Sequence, residues 1–372
     1  RHDERWLVWL PAIAGLLGAP CIAVFLLAPD AHVAIFWYAP VSFLTAMWTG
    51  ATYSAVQGLV AGRLEKVQGD LKRIIISDFD LIEEINEYLL LMRGKLFRPT
   101  LLLLSNEVGG RPADDAITLG AVVELVHLAT LVHDDAVDHS VLRRGLPTVN
   151  ALWTHQIAII MGDYLYSRSV TELTQLGRLD AVAVLAAAAN EMSIGEMRQL
   201  TSYDALEFTE SDYYRLIASK TASLMSAACE MGALAGVSEY RKPLALFGYQ
   251  LGMAFQIADD LLDYTGSEAV TGKPSGHDLR ERKVTLPLVG ALKKVSDTES
   301  REIRDFFTRV EAAEEDIERV IGIVHDRGGL DYAKEQADLY AARALGALAT
   351  LPEDPALEAL RDAVTYTVGR DR

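Results

Sequence analysis

The chain has 372 residues, half of them apolar, which is enough to bury a sizeable core in one or two domains. Its 52 acidic and 35 basic residues leave a formal net charge of −17 without a basic stripe, so we expect no nucleic-acid partner. Two cysteines cannot form a disulfide framework and indicate a reducing compartment. Such an acidic chain suits anionic substrates if a divalent cation dominates the local charge of their site.

The chain begins with two apolar stretches, residues 6–28 and 33–60, each long enough to cross a hydrocarbon core of about 30 Å. Between Trp6 and Gly62 there is one acidic residue and no Lys or Arg, whereas basic residues flank both ends. This pattern fits a helical hairpin with both ends on the cytoplasmic side. We therefore predict a membrane hairpin over residues 1–63, which contacts the inner face of a bacterial plasma membrane through residues 6–62 and anchors a cytoplasmic catalytic domain.

A signal peptide and a buried soluble hairpin are the alternatives for this segment. The stretch from Pro40 to Arg63 resembles a late transmembrane segment of major facilitator transporters. Two spans cannot form a whole transporter, so no transport function follows. A native fusion, a fragment and a misjoined reading frame remain open as explanations.

Beyond Arg63 the chain is dense in charged residues, and apolar residues recur every three or four positions, which predicts helices. Residues 116–133 and 244–264 are the clearest such stretches, and turns rich in Gly and Pro separate the segments. We predict an all-α bundle with a central cavity over residues 64–372.

Two Asp-Asp-x-x-Asp triplets carry the chemistry. They are Asp134, Asp135 and Asp138, and Asp259, Asp260 and Asp263. Residues four apart share a helix face, so the outer carboxylates of each triplet converge, at the end of an apolar stretch where unpaired charge is costly. Hard oxygen ligands suit Mg²⁺, which keeps positions for water and substrate phosphates. One triplet is as easily a solvated helix face, but two together indicate a metal site.

Cationic side chains accompany both triplets, as two metal-bridged diphosphates require. They are Lys95, Arg98, Arg143, Arg144, Lys220, Lys273 and Lys283. Each alone is typical of a solvated surface; jointly they indicate a polyphosphate site.

From about Leu64 to Arg372 the chain resembles the trans-isoprenyl diphosphate synthase family, and in particular its medium- and long-chain polyprenyl branch. The resemblance is carried by ELVHLATLVH at residues 124–133, GKPSGHDLRERKVTLP at 272–287 and GGLDYA at 328–333. It implies an all-helical bundle of the isoprenoid synthase type, with both triplets facing each other across a deep cavity, and a homodimer.

The resemblance also implies roles for individual residues. All six aspartates match the metal-binding motifs, with Asp134, Asp138 and Asp259 in direct contact with Mg²⁺. The isopentenyl diphosphate site would use Lys95, Arg98, His127 and Arg144, and the allylic diphosphate site Arg143, Lys220, Lys273 and Lys283. Thr221 and Gln256 would line the reacting centre, and with Lys220 they are the predicted catalytic residues.

Two motifs depart from the family pattern. The family commonly reads Gly-Gly-Lys-Arg-x-Arg-Pro, where this chain has Arg93-Gly94-Lys95-Leu96-Phe97-Arg98-Pro99, and Arg282 stands where Gly is usual. No metal ligand is lost, so we expect an active enzyme whose affinity for isopentenyl diphosphate is the property most affected.

The implied reaction is a condensation of isopentenyl diphosphate with an allylic diphosphate to an all-trans polyprenyl diphosphate. Ala129 and Thr130 lie about one helical turn before Asp134, where relatives that make short products carry a bulky aromatic floor. Because both residues are small, we predict a product of about C30 or longer. A class I terpene cyclase and a non-catalytic subunit of a two-component synthase are the rival functions; two intact triplets and the cations for a second diphosphate disfavour both.

Overall fold

The structure, a computed structural model, describes residues 56–92, 94–201, 207–265, 276–309 and 313–369. Within these residues the helices are α1 Ala61–Ile74, α2 Asp80–Leu91, α3 Phe97–Glu107, α4 Asp115–Val137, α5 Val149–Leu152, α6 His155–Leu176, α7 Leu179–Thr201, α8 Glu210–Ile217, α9 Ser223–Ala235, α10 Arg241–Thr265, α11 His277–Arg280, α12 Leu286–Leu292, α13 Asp297–Thr308, α14 Glu314–Asp326, α15 Gly329–Leu348 and α16 Pro355–Val368. A π-helical turn, Ala218–Ala222, joins α8 to α9, and a 3₁₀ turn, Ser238–Tyr240, precedes α10. The all-α prediction is confirmed.

Helix α4 forms the centre of the bundle and packs against α1, α3, α6 and α9. The side chains of Leu119, Val122 and Leu125 on this helix are fully buried. Among the described helices α4 alone is long and apolar enough to span a membrane, yet 67% of that stretch is buried inside the protein. A helix that is apolar on all sides and enclosed by its neighbours serves as a core helix.

Helix α10 is the second long helix of the interior and packs against α9 and α15. It carries the second aspartate triplet at its C-terminal end, as α4 carries the first. Local signals set the limits of the surrounding helices. The Thr154 hydroxyl accepts the Ile157 N–H at the start of α6, and α8 begins with a capping box between Thr209 and Asp212.

A small hairpin follows α4. Its strands, β1 Leu142–Arg143 and β2 Leu146–Pro147, pair antiparallel and are the only strands in the described part of the chain. The two central residues, Arg144 and Gly145, have φ of +53° and +77°, which is the type I′ geometry that tight hairpins favour. The turn predicted from Gly145 is therefore present, and it fixes the backbone that carries Arg144.

The predicted membrane hairpin lies almost wholly outside the described residues. Its last residues, from 56 onward, pack against the helical body: Val56 and Val60 are fully buried in the same core as α3 and α4. The Gln57 amide donates to the Lys95 carbonyl (2.8 Å) and to the Thr100 hydroxyl (3.2 Å). The domain boundary at residue 63 stays a prediction, but this packing ties residues 56–62 to the catalytic body.

Candidate active site

A cavity of about 1210 Å³ lies between α4, α6, α7, the π-helical turn and α10. Apolar side chains, among them Val126, Ala129 and Phe255, line it together with charged side chains. A second cavity of about 660 Å³ adjoins it, and Lys220, Thr221 and Gln256 border both. The two spaces therefore meet at the predicted catalytic residues.

Two carboxylates of the first triplet line a cavity, and the third is bound by another side chain. Asp134 lines the larger cavity, and its Oδ2 lies 3.3 Å from the Lys220 ammonium. Burial raises the pKa of Asp134, against the lowering effect of Lys220. Asp138 lines the smaller cavity with its Oδ2 3.5 Å from Lys283. Asp135 is instead buried and accepts bonds from the Arg143 guanidinium at 2.7–2.9 Å.

The second triplet is divided in the same way. Asp259 lines the larger cavity. Asp260 borders the smaller cavity but is largely buried. It accepts from the Tyr213 hydroxyl (2.6 Å) and the Gln256 amide (2.8 Å), and burial raises its pKa well above the ordinary range. Asp263 accepts the backbone N–H groups of His277 (3.1 Å) and Asp278 (3.0 Å), so it caps the start of α11.

The predicted catalytic residues lie side by side on the wall shared by the two cavities. A π-helical turn presents Lys220 and Thr221, and such turns are frequent at functional sites. The Thr221 hydroxyl donates to Gln256 Oε1 at 2.7 Å, which continues the chain of bonds to Asp260. Lys220 also donates to Glu196 on α7 at 2.8 Å. The lysine is thereby aimed at the first triplet.

The larger cavity also carries the residues predicted to bind isopentenyl diphosphate. Lys95, Arg98, His127 and Arg144 all line the larger cavity. Arg98 is deeply buried, and its Nε has no hydrogen-bond partner among the described protein atoms. Burial and the nearby guanidinium groups of Arg98 and Arg144 hold the pKa of His127 well below its usual value, so its imidazole is neutral at pH 7. A buried, incompletely bonded cation of this kind is suited to an anionic ligand.

The Arg144 side chain depends on Gly94. A Cβ at position 94 would stand 2.7 Å from an Arg144 guanidinium nitrogen, so only glycine leaves the guanidinium room. The same guanidinium donates to the Met92 carbonyl at 2.6 Å. Gly94, which this chain keeps in the motif at residues 93–99, therefore leaves space for Arg144 of the hairpin, 50 residues later.

The predicted chain-length residues, Ala129 and Thr130, both line the larger cavity. Arg143, Asp135 and Asp263 line neither cavity, because protein partners hold them. Lys273 lies outside the described residues.

Sequence reasoning missed several residues of the site. Glu124 is buried, and burial raises its pKa against the lowering effect of the nearby Arg98 and Arg144 charges. Tyr366, on α16, lines the cavity and accepts a hydrogen bond from Lys95 at 3.0 Å. A glutamate inside the apolar stretch of α4 was a usable signal for Glu124. No local pattern marks Tyr366, since 271 residues separate it from Lys95.

The acidic residues fit a magnesium site completed by substrate. Within the described ranges no three His, Cys, Asp or Glu side chains converge closely enough to form a metal site by themselves. Mg²⁺ does not need such a cage, because it binds through one or two carboxylates and takes its other ligands from water and phosphate. Asp134 and Asp259, which line the same cavity, supply that kind of donor.

The structure combines an all-helical bundle with a largely apolar cavity that carboxylates and cations also line, a combination suited to an enzyme that acts on prenyl diphosphates. The polyprenyl synthetase family model matches residues 79–324. The octaprenyl diphosphate synthase of Escherichia coli K12 is 36% identical over 321 residues, which cover 85% of this chain and 98% of that protein. The all-trans-nonaprenyl-diphosphate synthase (geranyl-diphosphate specific) of Rhodobacter capsulatus is 39% identical over 300 residues, which cover 80% of this chain and 91% of that protein.

Among solved structures, a polyprenyl synthase from Caulobacter crescentus CB15, complexed with calcium and isoprenyl diphosphate, matches with a TM-score of 0.82 and 33% identity. The match covers 86% of this chain and 98% of that one. The chain belongs to the polyprenyl synthetase family, and it is a prenyltransferase that forms polyprenyl diphosphates.

Proposed function

We propose that this enzyme condenses isopentenyl diphosphate with an allylic diphosphate to give a medium- or long-chain all-trans polyprenyl diphosphate. The observation that supports this most directly is the cavity itself. One carboxylate of each triplet, Asp134 and Asp259, lines a single largely apolar cavity, and Lys95, Arg98 and Arg144 line the same cavity. Two diphosphates and a growing hydrocarbon chain require that combination.

Mg²⁺ would be held by Asp134, Asp138 and Asp259, which line the two cavities. When bound, it would supply charge stabilisation to the departing diphosphate. Asp135, Asp260 and Asp263 would act behind these ligands, since Arg143, Tyr213 and two backbone N–H groups already engage them. The calcium in the Caulobacter structure supports the use of a divalent metal.

The allylic diphosphate would be bound by Lys220 and Lys283, which stand beside Asp134 and Asp138. Arg143 would support them by orienting Asp135, and the predicted contact of Lys273 is part of the proposal. Lys95, Arg98, neutral His127 and Arg144 would bind isopentenyl diphosphate in the larger cavity, which Thr221 and Gln256 also line.

The reaction would proceed in three steps: ionisation, condensation and proton loss. The allylic C–O bond breaks, and its electron pair leaves with the diphosphate, which the lysines stabilise. The isopentenyl double bond attacks the allylic carbon and forms the new C–C bond. A proton is then lost to the released diphosphate, so no dedicated side-chain base is required. The apolar wall, including Phe255 and Phe97 stacked with centroids 5.6 Å apart, excludes the water that would quench the cation.

The oligomeric state and the cellular location of the enzyme are also part of the proposal. Family resemblance supports a homodimer with a cytoplasmic catalytic body. A membrane contact through residues 6–62 rests on composition alone.

The test is to incubate the full-length protein with isopentenyl and farnesyl diphosphates and Mg²⁺, and to size the products. We expect diphosphates of about C30 or longer, and loss of product on chelation or in Asp134→Asn. Cyclic hydrocarbon formed from the allylic substrate alone would favour the terpene cyclase. No turnover with Mg²⁺ present would favour the non-catalytic subunit.

A further inference from the structure

Arg282 occupies a backbone position that disfavours side chains. Its φ is +60°, in the left-handed region that glycine adopts readily and other residues adopt at a cost. A large side chain at this position therefore requires compensation.

The Arg282 side chain provides that compensation by binding the end of α13. One guanidinium nitrogen donates to the Phe306 carbonyl (2.7 Å) and another to the Arg309 carbonyl (2.9 Å). The guanidinium also lies over the Phe306 ring, 4.6 Å from its centroid. Carbonyl groups at the end of a helix lack intrahelical partners and carry partial negative charge, so a guanidinium is well suited to them.

The anchored residue directly precedes Lys283. The Lys283 ammonium lies 2.6 Å from Glu281 and 3.5 Å from Asp138 of the first triplet. Arg282 and Lys283 both line the smaller cavity, together with Asp138. The position of the ammonium therefore depends on how firmly the backbone at 281–283 is held.

The segment is held at both ends. At its start Asp263 accepts the N–H groups of His277 and Asp278, so the second triplet fixes one end. At its other end, the Arg282 guanidinium ties the chain to α13. Loss of either anchor would let Lys283 move away from Asp138.

We propose that Arg282 is a positioning residue for the allylic diphosphate, acting through Lys283. This inference rests on the proposed function, in which Lys283 binds that diphosphate. Arg282 touches no reacting atom. Its guanidinium anchors the backbone of the loop to α13, and this anchor fixes the position of Lys283.

Four full-length variants test the proposal. Arg282→Gly removes the anchor and also the backbone strain, so it is expected to fold with an unchanged Tm. Arg282→Ala removes the anchor and keeps the strain, and Arg282→Lys keeps the charge and one donor group. Arg301→Ala is the matched control, an exposed arginine on α13 whose Nε donates to the Asp297 carbonyl at 3.0 Å.

We expect Arg282→Gly to raise the KM for farnesyl diphosphate by about tenfold, the loss of roughly one charge-assisted contact. The KM for isopentenyl diphosphate should stay at the wild-type value, Arg282→Lys should recover part of the loss, and Arg301→Ala should change neither KM. An unchanged KM for farnesyl diphosphate in Arg282→Gly, or an equal rise in both KM values, would overturn the proposal.

Calorimetric binding of inorganic diphosphate in the presence of Mg²⁺ separates this proposal from the proposed function. If the wild-type protein forms no product, the proposed function fails, while weaker diphosphate binding by Arg282→Gly would still support the anchor. Equal affinity in the wild type and Arg282→Gly would refute the anchor whatever the activity.

Discussion

Ala129→Phe should shorten the product, because position 129 lies on the wall along which the chain grows. Ala129 is 2% exposed and lines the larger cavity, five residues before Asp134. At 1.5 Å per residue, its Cα lies about 7.5 Å below Asp134 along α4. Each isoprene unit of a trans chain advances about 4–5 Å, from bonds of about 1.5 Å. Roughly two units therefore fit above a phenylalanine at this position.

The cavity continues below that level in the wild type. Ala186 also lines it and lies ten residues before Glu196 on α7, about 15 Å along the helix. We therefore expect Ala129→Phe to stop at about C10–C15, and Ala186→Phe to stop at about C15–C20 as a matched control.

The assay extends geranyl diphosphate with radiolabelled isopentenyl diphosphate and sizes the dephosphorylated products. Overpacking costs about 1–3 kcal/mol, so Tm should be recorded for each variant. A wild-type length distribution from well-folded Ala129→Phe would refute the assignment of this wall.

Three further predictions follow from particular contacts. Gly94→Ala should displace the Arg144 guanidinium, 2.7 Å from the new Cβ, and raise the KM for isopentenyl diphosphate about tenfold; an equal rise for the allylic substrate would contradict this. Burial and the Asp263 charge raise the pKa of Asp278 to about 6. Between about pH 4 and 6 the folded state therefore keeps a proton that the unfolded chain has lost, so the free energy of unfolding falls as pH rises through that window. Asp278→Asn should therefore stabilise the metal-free protein by up to about 3 kcal/mol at pH 7.5 and by nothing near pH 4 in urea unfolding, whereas an equal gain at both pH values would refute the cause. Removal of residues 1–55 should leave Tm unchanged. Removal of residues 1–63 also deletes buried Val56 and Val60 and should lower the free energy of unfolding by about 3–6 kcal/mol. Equal stability of the two truncations would place the domain boundary at 63.

Much of the fold was predictable because it depends on local patterns. The three- and four-residue spacing of apolar side chains predicts α4 and α10 within a few residues of their observed limits. The spacing of the triplets places two carboxylates of each on one helix face, and the turn at Gly145 follows from residue type. The resemblance to a known family then supplied roles that spacing alone does not.

Only the tertiary structure decided which of six similar aspartates face the cavity. Asp134 and Asp135 are neighbours in sequence, yet one lines the cavity while the other is bound by Arg143. The difference arises because successive residues on a helix point about 100° apart, so the packing partners decide which one is enclosed.

What the amino-acid sequence determined by itself was the helical class, the two aspartate triplets and the small residues at positions 129 and 130. The tertiary structure alone decided the contact of Lys95 with Tyr366, the room that Gly94 leaves for Arg144 and the anchor that Arg282 makes on α13. Helices and turns depend on residues a few positions apart. These contacts join segments from tens to hundreds of residues apart, and such pairs come together only when helices pack around a shared core.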